Sequence, residues 1–356
     1  VSTRKNIMPE REPVLTPTGF IKRGKVREGT VLRTPDGQTA KAVGVHAQTL
    51  QTYRMEFTDG SYVVCTADEP WLSRTMGKNP VLKVRTTQQI QEVMARGKSI
   101  TVQQGGQVEF DREYELTIKP YTLGALLGDG CLRKETIRLI KRDMELFGRV
   151  RQDGYTLTRY QANDSRTPVF GLRQFSKEKA WLSEKGLLCR SHKKYVPTEY
   201  KHASLKDRME LIQGLMDTDG YVGQSGHCTY TSTSRRLARD VQWLIRSIGG
   251  IAKIRSYIPY CTFKDGTRKK CRRAYVVDIR IADTAQLFNI PRKKDRCLAK
   301  KVVSDGFHPA KKVAAVVDNG ICEYTTFLVD GCEGAYIGRD FTLRRCPGGM
   351  TENNLK

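Results

Sequence analysis

Two aspartates stand at matching points of two apolar runs. Asp129 lies near the end of Y-T-L-G-A-L-L-G-D-G-C-L (residues 121–132), and Asp219 near the end of L-I-Q-G-L-M-D-T-D-G-Y (residues 211–221). Superposing Asp129 on Asp219 also superposes Gly130 on Gly220, Gly124 on Gly214 and Gly128 on Thr218. Small residues therefore recur at i and i+4 on one face of each predicted helix. Two such faces let helix backbones approach closely and bring their ends together. Gly130 and Gly220 are placed as the C′ residues that end the helices, which puts both carboxylates where the helix dipole is already negative. Crowded carboxylates repel unless a cation sits between them, and an all-oxygen set suits a hard ion such as Mg²⁺. Asp129 and Asp219, with the adjoining Gly128 and Thr218, are the candidate metal-binding residues. Either run alone reads equally well as an amphipathic helix with an acidic end; the matched pair carries the inference.

The elements that position these groups must come from a chain of 356 residues, long enough for two or three domains and a sizeable core. Its net charge is +24 with a pI near 9.7, the balance of a protein that binds a polyanion. About +18 of this falls between residues 111 and 300, around the paired runs. No apolar run reaches membrane-spanning length and no secretory core opens the chain, so the expectation is a soluble, cytoplasmic protein with no membrane partner. The 10 cysteines are scattered without a C-x-x-C pair and read as reduced thiols. A zinc site needs Cys261 and Cys271 to pair across a hairpin.

Residues 1 to about 12 are polar and aperiodic and read as a disordered or loosely attached arm. P-V-L-T-P-T-G-F from Pro13, the turn T-P-D-G within residues 29–44, and Y-R-M-E-F-T-D-G-S-Y-V-V-C-T-A-D-E-P-W-L (residues 53–72) describe an all-β module, with Asp59-Gly60 joining two strands as a hairpin. C-E-Y-T-T-F-L-V-D-G-C-E-G-A-Y-I-G-R-D-F-T-L (residues 322–343) returns to that style.

Both Asp-Gly runs resemble the dodecapeptide motifs of the LAGLIDADG homing endonucleases, present as two copies in one chain. The first copy has Leu127 and Gly128 where the family name has Asp and Ala. The β module resembles the Hint fold of inteins. The resemblances imply an α+β chain: a pseudo-two-fold LAGLIDADG saddle (αββαββα twice) inserted into an all-β Hint-like domain. Its parts are residues 1–109 and 306–346 for the β domain, 110–305 for the endonuclease with repeats near 115–200 and 205–300, and 347–356 for a tail.

Protein splicing needs a nucleophile at the first position, a His in the second block and a terminal His-Asn. Counting from the matched residues, these positions fall on or near Ile7, on Glu69, and on Arg344 and Arg345, while Cys346 stands where the downstream nucleophile would be. The expectation is a Hint domain that no longer splices.

Within the central block, β-like segments (136–140, 155–160) and a helix (176–188) follow the first motif; a strand region (221–232), a helix (235–250) and strands (251–257, 274–281) follow the second. In the last strand Tyr275, Val277, Ile279 and Ile281 share one face, while Asp278 and Arg280 point the other way. The resemblance implies that both sheets lie on the DNA major groove. Candidate contacts are Arg159, Arg173, Gln174, Gln224, Lys253, Arg255 and Arg280, together with Lys269, Lys270, Arg272 and Arg273 of the cationic stretch K-D-G-T-R-K-K-C-R-R (residues 264–273). A solvated charged face is the plain alternative for each. Lys194 in K-Y-V-P resembles the family's lysine near one cleavage centre, and Lys293 in I-P-R-K-K-D-R its counterpart, with Lys294 equally placed.

The expected reaction is metal-dependent hydrolysis of double-stranded DNA by a monomer. Asp129 and Asp219 would share Mg²⁺, with Mn²⁺ or Ca²⁺ able to substitute in binding, and Lys194 and Lys293 would polarise water or stabilise developing charge. The rivals are a splicing intein carrying a nuclease and a DNA-binding protein or maturase without cleavage.

Overall fold

A computed structural model describes residues 7–77, 80–111, 113–133, 135–160, 167–263, 265–299, 308–330 and 334–346. They fall into two units: one ends at Asp111 and resumes at His308, and the other lies between. The 347–356 tail, Lys264 and Cys332 lie outside the described residues. Among the described residues no helix is long and apolar enough to cross a membrane, and the other nine cysteines are free thiols.

In chain order the first unit contributes β1 (Pro13–Thr16), β2 (Gly19–Lys22), β3 (Val31–Arg33), β4 (Thr39–Phe57), β5 (Tyr62–Cys65), β6 (Pro70–Thr75), β7 (Leu82–Thr86), α1 (Thr87–Ala95) and β8 (Ile100–Gln103). The second runs α2 (Pro120–Asp129), β9 (Gly130–Cys131), β10 (Arg138–Ile140), α3 (Met144–Gln152), β11 (Thr156–Tyr160), β12 (Val169–Arg173), α4 (Ser176–Glu184), α5 (Thr198–Lys201) and α6 (Leu205–Asp219). It continues β13 (Gly220–Val222), β14 (Cys228–Ser232), α7 (Arg235–Ser247), β15 (Ile251–Tyr257), β16 (Tyr260–Thr262), β17 (Arg268–Lys270), β18 (Ala274–Arg280) and α8 (Pro291–Leu298). The first unit closes with β19 (Ala310–Val329), β20 (Ala335–Ile337) and β21 (Leu343–Arg345).

The first unit is a β structure. Its long strands β4 and β19 pair antiparallel along most of their length, which joins the two parts of this unit in one seven-stranded sheet. Asp59-Gly60 turns β4 into β5 as the sequence indicates. One apolar cluster packs around Trp71, Met55 and Val102, and another around Val14, Leu32 and Phe327. The expected disordered arm is corrected over residues 7–12, which are built into this unit. Pro9 and Glu12 are buried. The Glu10 carboxylate accepts from the Thr325 backbone N–H at 2.6 Å and from its hydroxyl at 2.8 Å. Side-chain bonds to a strand some 300 residues away leave no periodic trace in the local sequence.

The second unit repeats itself. Its two four-stranded antiparallel sheets run β9-β10-β12-β11 and β13-β14-β18-β15, the same order of equivalent strands, each entered from a motif helix, α2 or α6. Each half follows the αββαββα order, with α5 and the β16–β17 hairpin added. α6 starts at the Ser204 cap, whose hydroxyl accepts from the Asp207 N–H at 3.1 Å. At the start of α2, Asp153 accepts from the Thr122 N–H and hydroxyl at 3.2 and 2.6 Å and so satisfies a first-turn donor.

The motif helices touch backbone to backbone. A Cβ on Gly124 would lie 2.3 Å from the Leu211 carbonyl oxygen, and one on Gly214 would lie 2.1 Å from that of Tyr121. Only glycine fits there. Gly130 and Gly220 depart from the C′ expectation: both are extended (φ −75° and −79°), not left-handed. Their need for glycine is steric, since a Cβ on either would lie 2.3 Å from the carbonyl oxygen four residues back.

Gly214→Ala is expected to cost about 1–3 kcal/mol by overpacking this crossing. Gly148→Ala, at a helical position with nothing within 4 Å, is expected to gain about 0.5–1 kcal/mol. Chemical denaturation midpoints of the two variants check both signs.

Candidate active site

The paired helices end at Asp129 and Asp219, each followed by a glycine that opens the first strand of its sheet. The two carboxylates sense one another: burial and the Asp129 charge push the Asp219 carboxyl up to about 6. Lys141, which the motif analysis overlooked, reaches the same place. Its ammonium donates to Asp129 Oδ2 at 2.7 Å and to the Thr218 carbonyl at 2.6 Å. A cation thus bridges one motif's carboxylate and the other motif's backbone, which shows that the two form one electronegative site. Strand register is the signal that could have found Lys141. Leu139 pairs with Gly130, so two residues further the chain returns to the helix end. The same step in the second half, from Tyr230 opposite Gly220, reaches Ser232. The two ends are chemically unequal.

Lys194 and Lys293 are both drawn to the motif helices, where their ammonium groups bond backbone carbonyls. Lys194 is buried, and its ammonium donates to the carbonyls of Leu126, Gly128 and Gly130 at 2.9, 3.1 and 2.8 Å. Lys293 does the same under α6, donating to Met216, Asp217 and Gly220 at 2.7, 2.8 and 2.8 Å. A lysine ammonium has three protons to donate, so neither has one left for water. They cap the negative helix ends that carry the aspartates. Burial pushes each ammonium down to about 8. Lys293 is therefore separated from its neighbour Lys294, which is half-buried and makes no such bonds. Asp217, inside the second motif, is wholly buried: it accepts from Tyr121 OH at 2.8 Å and from the Asn289 and Ile290 N–H groups, tying α2, α6 and the start of α8 together.

The sheets present their other candidates unevenly. In the second sheet Lys253, Arg255 and Arg280 share the face opposite Val277 and Ile279, joined by exposed Tyr221. On it Arg255 is neutralised by Asp278 at 2.9 Å. The first sheet's open face holds Arg173, with Arg138 stacked on Tyr160 at 4.3 Å over Gly171. Arg159 is a correction: it pairs with Phe170 and is in phase with Leu157, so it shares the core-side face at the sheet's edge. Gln174, in a left-handed turn (φ 50°), and Gln224, between β13 and β14, are exposed loop residues. Lys269, Lys270, Arg272 and Arg273 lie exposed on and beyond β17. Cys261 faces Lys269 across that hairpin rather than Cys271, and among the described residues no three His, Cys, Asp or Glu gather as a metal cluster.

In the β unit, the positions assigned to the splicing histidines meet. Arg344 Nε donates to Glu69 Oε1 at 2.6 Å, Tyr324 OH donates to Glu69 Oε2 at 2.8 Å, and the guanidinium stacks on Trp71 at 4.9 Å. Both charged groups are buried. Ile7 is held by its backbone to the Asn319 side chain at 2.9 Å in each direction. Burial pushes the Cys346 thiol up to about 12, far from the thiolate a nucleophile needs.

With this geometry in hand, the comparisons give the class. Residues 207–279 match the LAGLIDADG-like domain model. The chain carries a LAGLIDADG-like domain, as its motifs indicated. It is 30% identical over 263 residues to a replicative DNA helicase DnaB of Mycobacterium intracellulare, covering 67% of this chain and 41% of that protein. It thus spans about two fifths of that relative's length. Similar solved structures include I-DmoI in complex with DNA and Ca (12% identity, TM-score 0.33, 51% of this chain and 97% of that one) and the MchDnaB-1 intein (26% identity, TM-score 0.20, 27% and 74%).

Two outcomes are expected. Folded Asp219 holds its proton from the ordinary 3.8 up to about 6, so between those pH values the folded state binds more protons than the unfolded and stability falls as pH rises. With chelator present, Asp219→Asn should therefore stabilise the fold at pH 7 by at most about 3 kcal/mol, read as a higher thermal midpoint, with the gain vanishing toward pH 4. Glu69→Ala leaves Arg344 buried and unpaired and should cost about 3–5 kcal/mol in denaturant titrations.

Proposed function

We propose that residues 112–307 form a metal-dependent endonuclease that hydrolyses both strands of duplex DNA at one long asymmetric site, acting as a monomer. The observation that supports this reading is a pair of motif helices that cross where only glycine fits and whose terminal carboxylates, on Asp129 and Asp219, sense one another. A divalent ion fits this donor set: the Asp129 carboxylate and the Thr218 carbonyl already hold a cation, the Lys141 ammonium. Mg²⁺ is commonly held by one or two carboxylates, with water and phosphate completing its shell. Asp129, Asp219 and the carbonyls of Gly128 and Thr218 would hold it. When bound, the ion supplies Lewis acidity toward the phosphate and an acidified water.

The chain's own residues do the rest. Lys194 and Lys293 position the aspartates by fixing the helix ends. Lys141 is placed to follow negative charge from the carboxylate to the scissile phosphate. The open faces of the two sheets, bearing Arg138, Arg173, Lys253 and Arg280, would contact phosphates and bases. Because the halves differ in sequence and in the Lys141–Ser232 pair, their half-sites need not match.

The β unit, in this reading, does not splice. A guanidinium cannot exchange protons near neutral pH, and Arg344 and Glu69 occupy the positions where imidazoles would work.

A randomised duplex library incubated with Mg²⁺ should yield double-strand cuts at one long site, abolished by chelator and reduced to nicking or nothing by Asp129→Asn or Asp219→Asn. Binding without cutting in every metal tried would sink the nuclease reading and favour a DNA-binding protein.

A further inference from the structure

α8 is only 8 residues long, and a helix that short is held by what it packs against rather than by its own hydrogen bonds. Its buried residues are Lys293 and Cys297, four apart and so on one face. Lys293 ties the helix to β13 by donating to the Gly220 carbonyl. One turn on, Arg296 donates to the Val222 carbonyl at 3.2 Å, and Cys297 meets Cys228, the residue paired with Val222 across β13 and β14. α8 therefore follows the start of the second sheet, and its last turn rests on a second thiol.

The two sulfurs are 3.9 Å apart and both residues are buried. A buried cysteine commonly serves as a small apolar side chain, but the surroundings of this pair are polar. The Thr284 hydroxyl bonds to both sulfurs, and the Gly226 carbonyl lies 3.6 Å from Cys228. The Cys228 thiol, donating to Cys297 with Thr284 behind it, holds Cys297 below the ordinary thiol range, and Cys228 is raised in turn. A thiolate beside a thiol is the arrangement from which disulfides form. The bond needs its sulfurs about 2 Å apart, within reach of side-chain rotation. Because the two cysteines are 69 residues apart, it would close a long loop and constrain the unfolded chain strongly.

We propose that Cys228 and Cys297 form a reversible disulfide, a redox modification site that fastens α8 to the second sheet. The oxidant is hydrogen peroxide, which enters at the end of the helix, where Leu298 stands 67% exposed. The Cys297 thiolate attacks one peroxide oxygen, the O–O bond breaks, and a sulfenic acid forms; the departing hydroxide takes up the proton that Cys297 gave up and leaves as water. The Cys228 sulfur then attacks the sulfenic sulfur. The S–S bond forms, the S–O bond breaks, and the second hydroxide leaves with the Cys228 proton as water. Two electrons pass from the thiols to the peroxide, and a dithiol reductant returns them by exchange. The proposal goes beyond the nuclease reading and does not depend on it, since it concerns how this unit is held together whether or not DNA is cut.

The test treats the folded full chain with hydrogen peroxide, blocks the remaining thiols with an alkylating reagent, and maps linked peptides by mass spectrometry without reduction. A peptide pair joined through Cys228 and Cys297 is expected, and dithiothreitol should release it. The thermal midpoint of the oxidised chain should lie about 5–10 °C above that of the reduced one. Cys228→Ala should abolish both the link and the shift, and leave Cys297 as a sulfenic acid that a cyclic diketone captures. The peptide map of the unaltered chain decides the matter even where that variant folds poorly. Recovery of Cys228 and Cys297 as alkylated thiols, after the exposed Cys261 and Cys271 have been oxidised, would overturn the proposal. So would a link that forms only in denaturant, or a midpoint shift that persists in Cys228→Ala.

Discussion

The second unit depends on one contact, the crossing of α2 and α6 at Gly124 and Gly214. A Cβ there would lie only 2.1–2.3 Å from the opposite backbone carbonyl oxygen, so the close approach of the helices requires glycine on both. That approach has an electrical consequence. Two helix C-termini and two carboxylates come together, and their like charges must be offset. The structure offsets them with Lys194 and Lys293 inside the helix ends and Lys141 between the motifs. Packing sets the problem and three ammonium groups answer it.

This arrangement separates buried groups that hold the helix ends from charged groups that stay partly exposed there. Lys194 is further fixed from behind, since its carbonyl accepts from the Ser234 hydroxyl that caps α7. Asp217 secures the second helix against α2 and the start of α8. Asp129, Asp219 and Lys141 are the charged groups at the helix ends that retain partial exposure. Their inequality follows from divergence of the halves: one register position is Lys141 in the first and Ser232 in the second. A single-chain repeat can carry such a difference, whereas a symmetric dimer of identical chains cannot.

The β unit carries a polar cluster of another kind. Where the intein resemblance places acid–base chemistry, there is a buried Glu69–Arg344 pair with Tyr324 and Trp71 around it. Such a pair is costly to bury and costlier to break, so it ties the start of β6, β19 and β21 together. The chain beside it is fixed by Glu10, Glu12 and Asn319.

The sequence by itself determined the motif pair, the repeat and the hydrophobic faces, because these are written in local spacing. The i and i+4 small residues gave the crossing, the Asp-Gly turns gave the hairpins, and alternation in β18 gave the right inward set. What needed tertiary structure was every relation made across the chain. That Lys194 caps the end of α2 depends on where its three protons go. The separation of Lys293 from Lys294 depends on which side of α8 faces α6. Arg159 was misplaced because its face is fixed by pairing with Phe170, not by its own alternation alone. Only strand pairing returns Lys141 to the helix end, and residues 7–12 are held by partners in β19 and at Arg339 that local sequence does not show. Periodicity reports which face is buried; it does not report what a long charged side chain will reach.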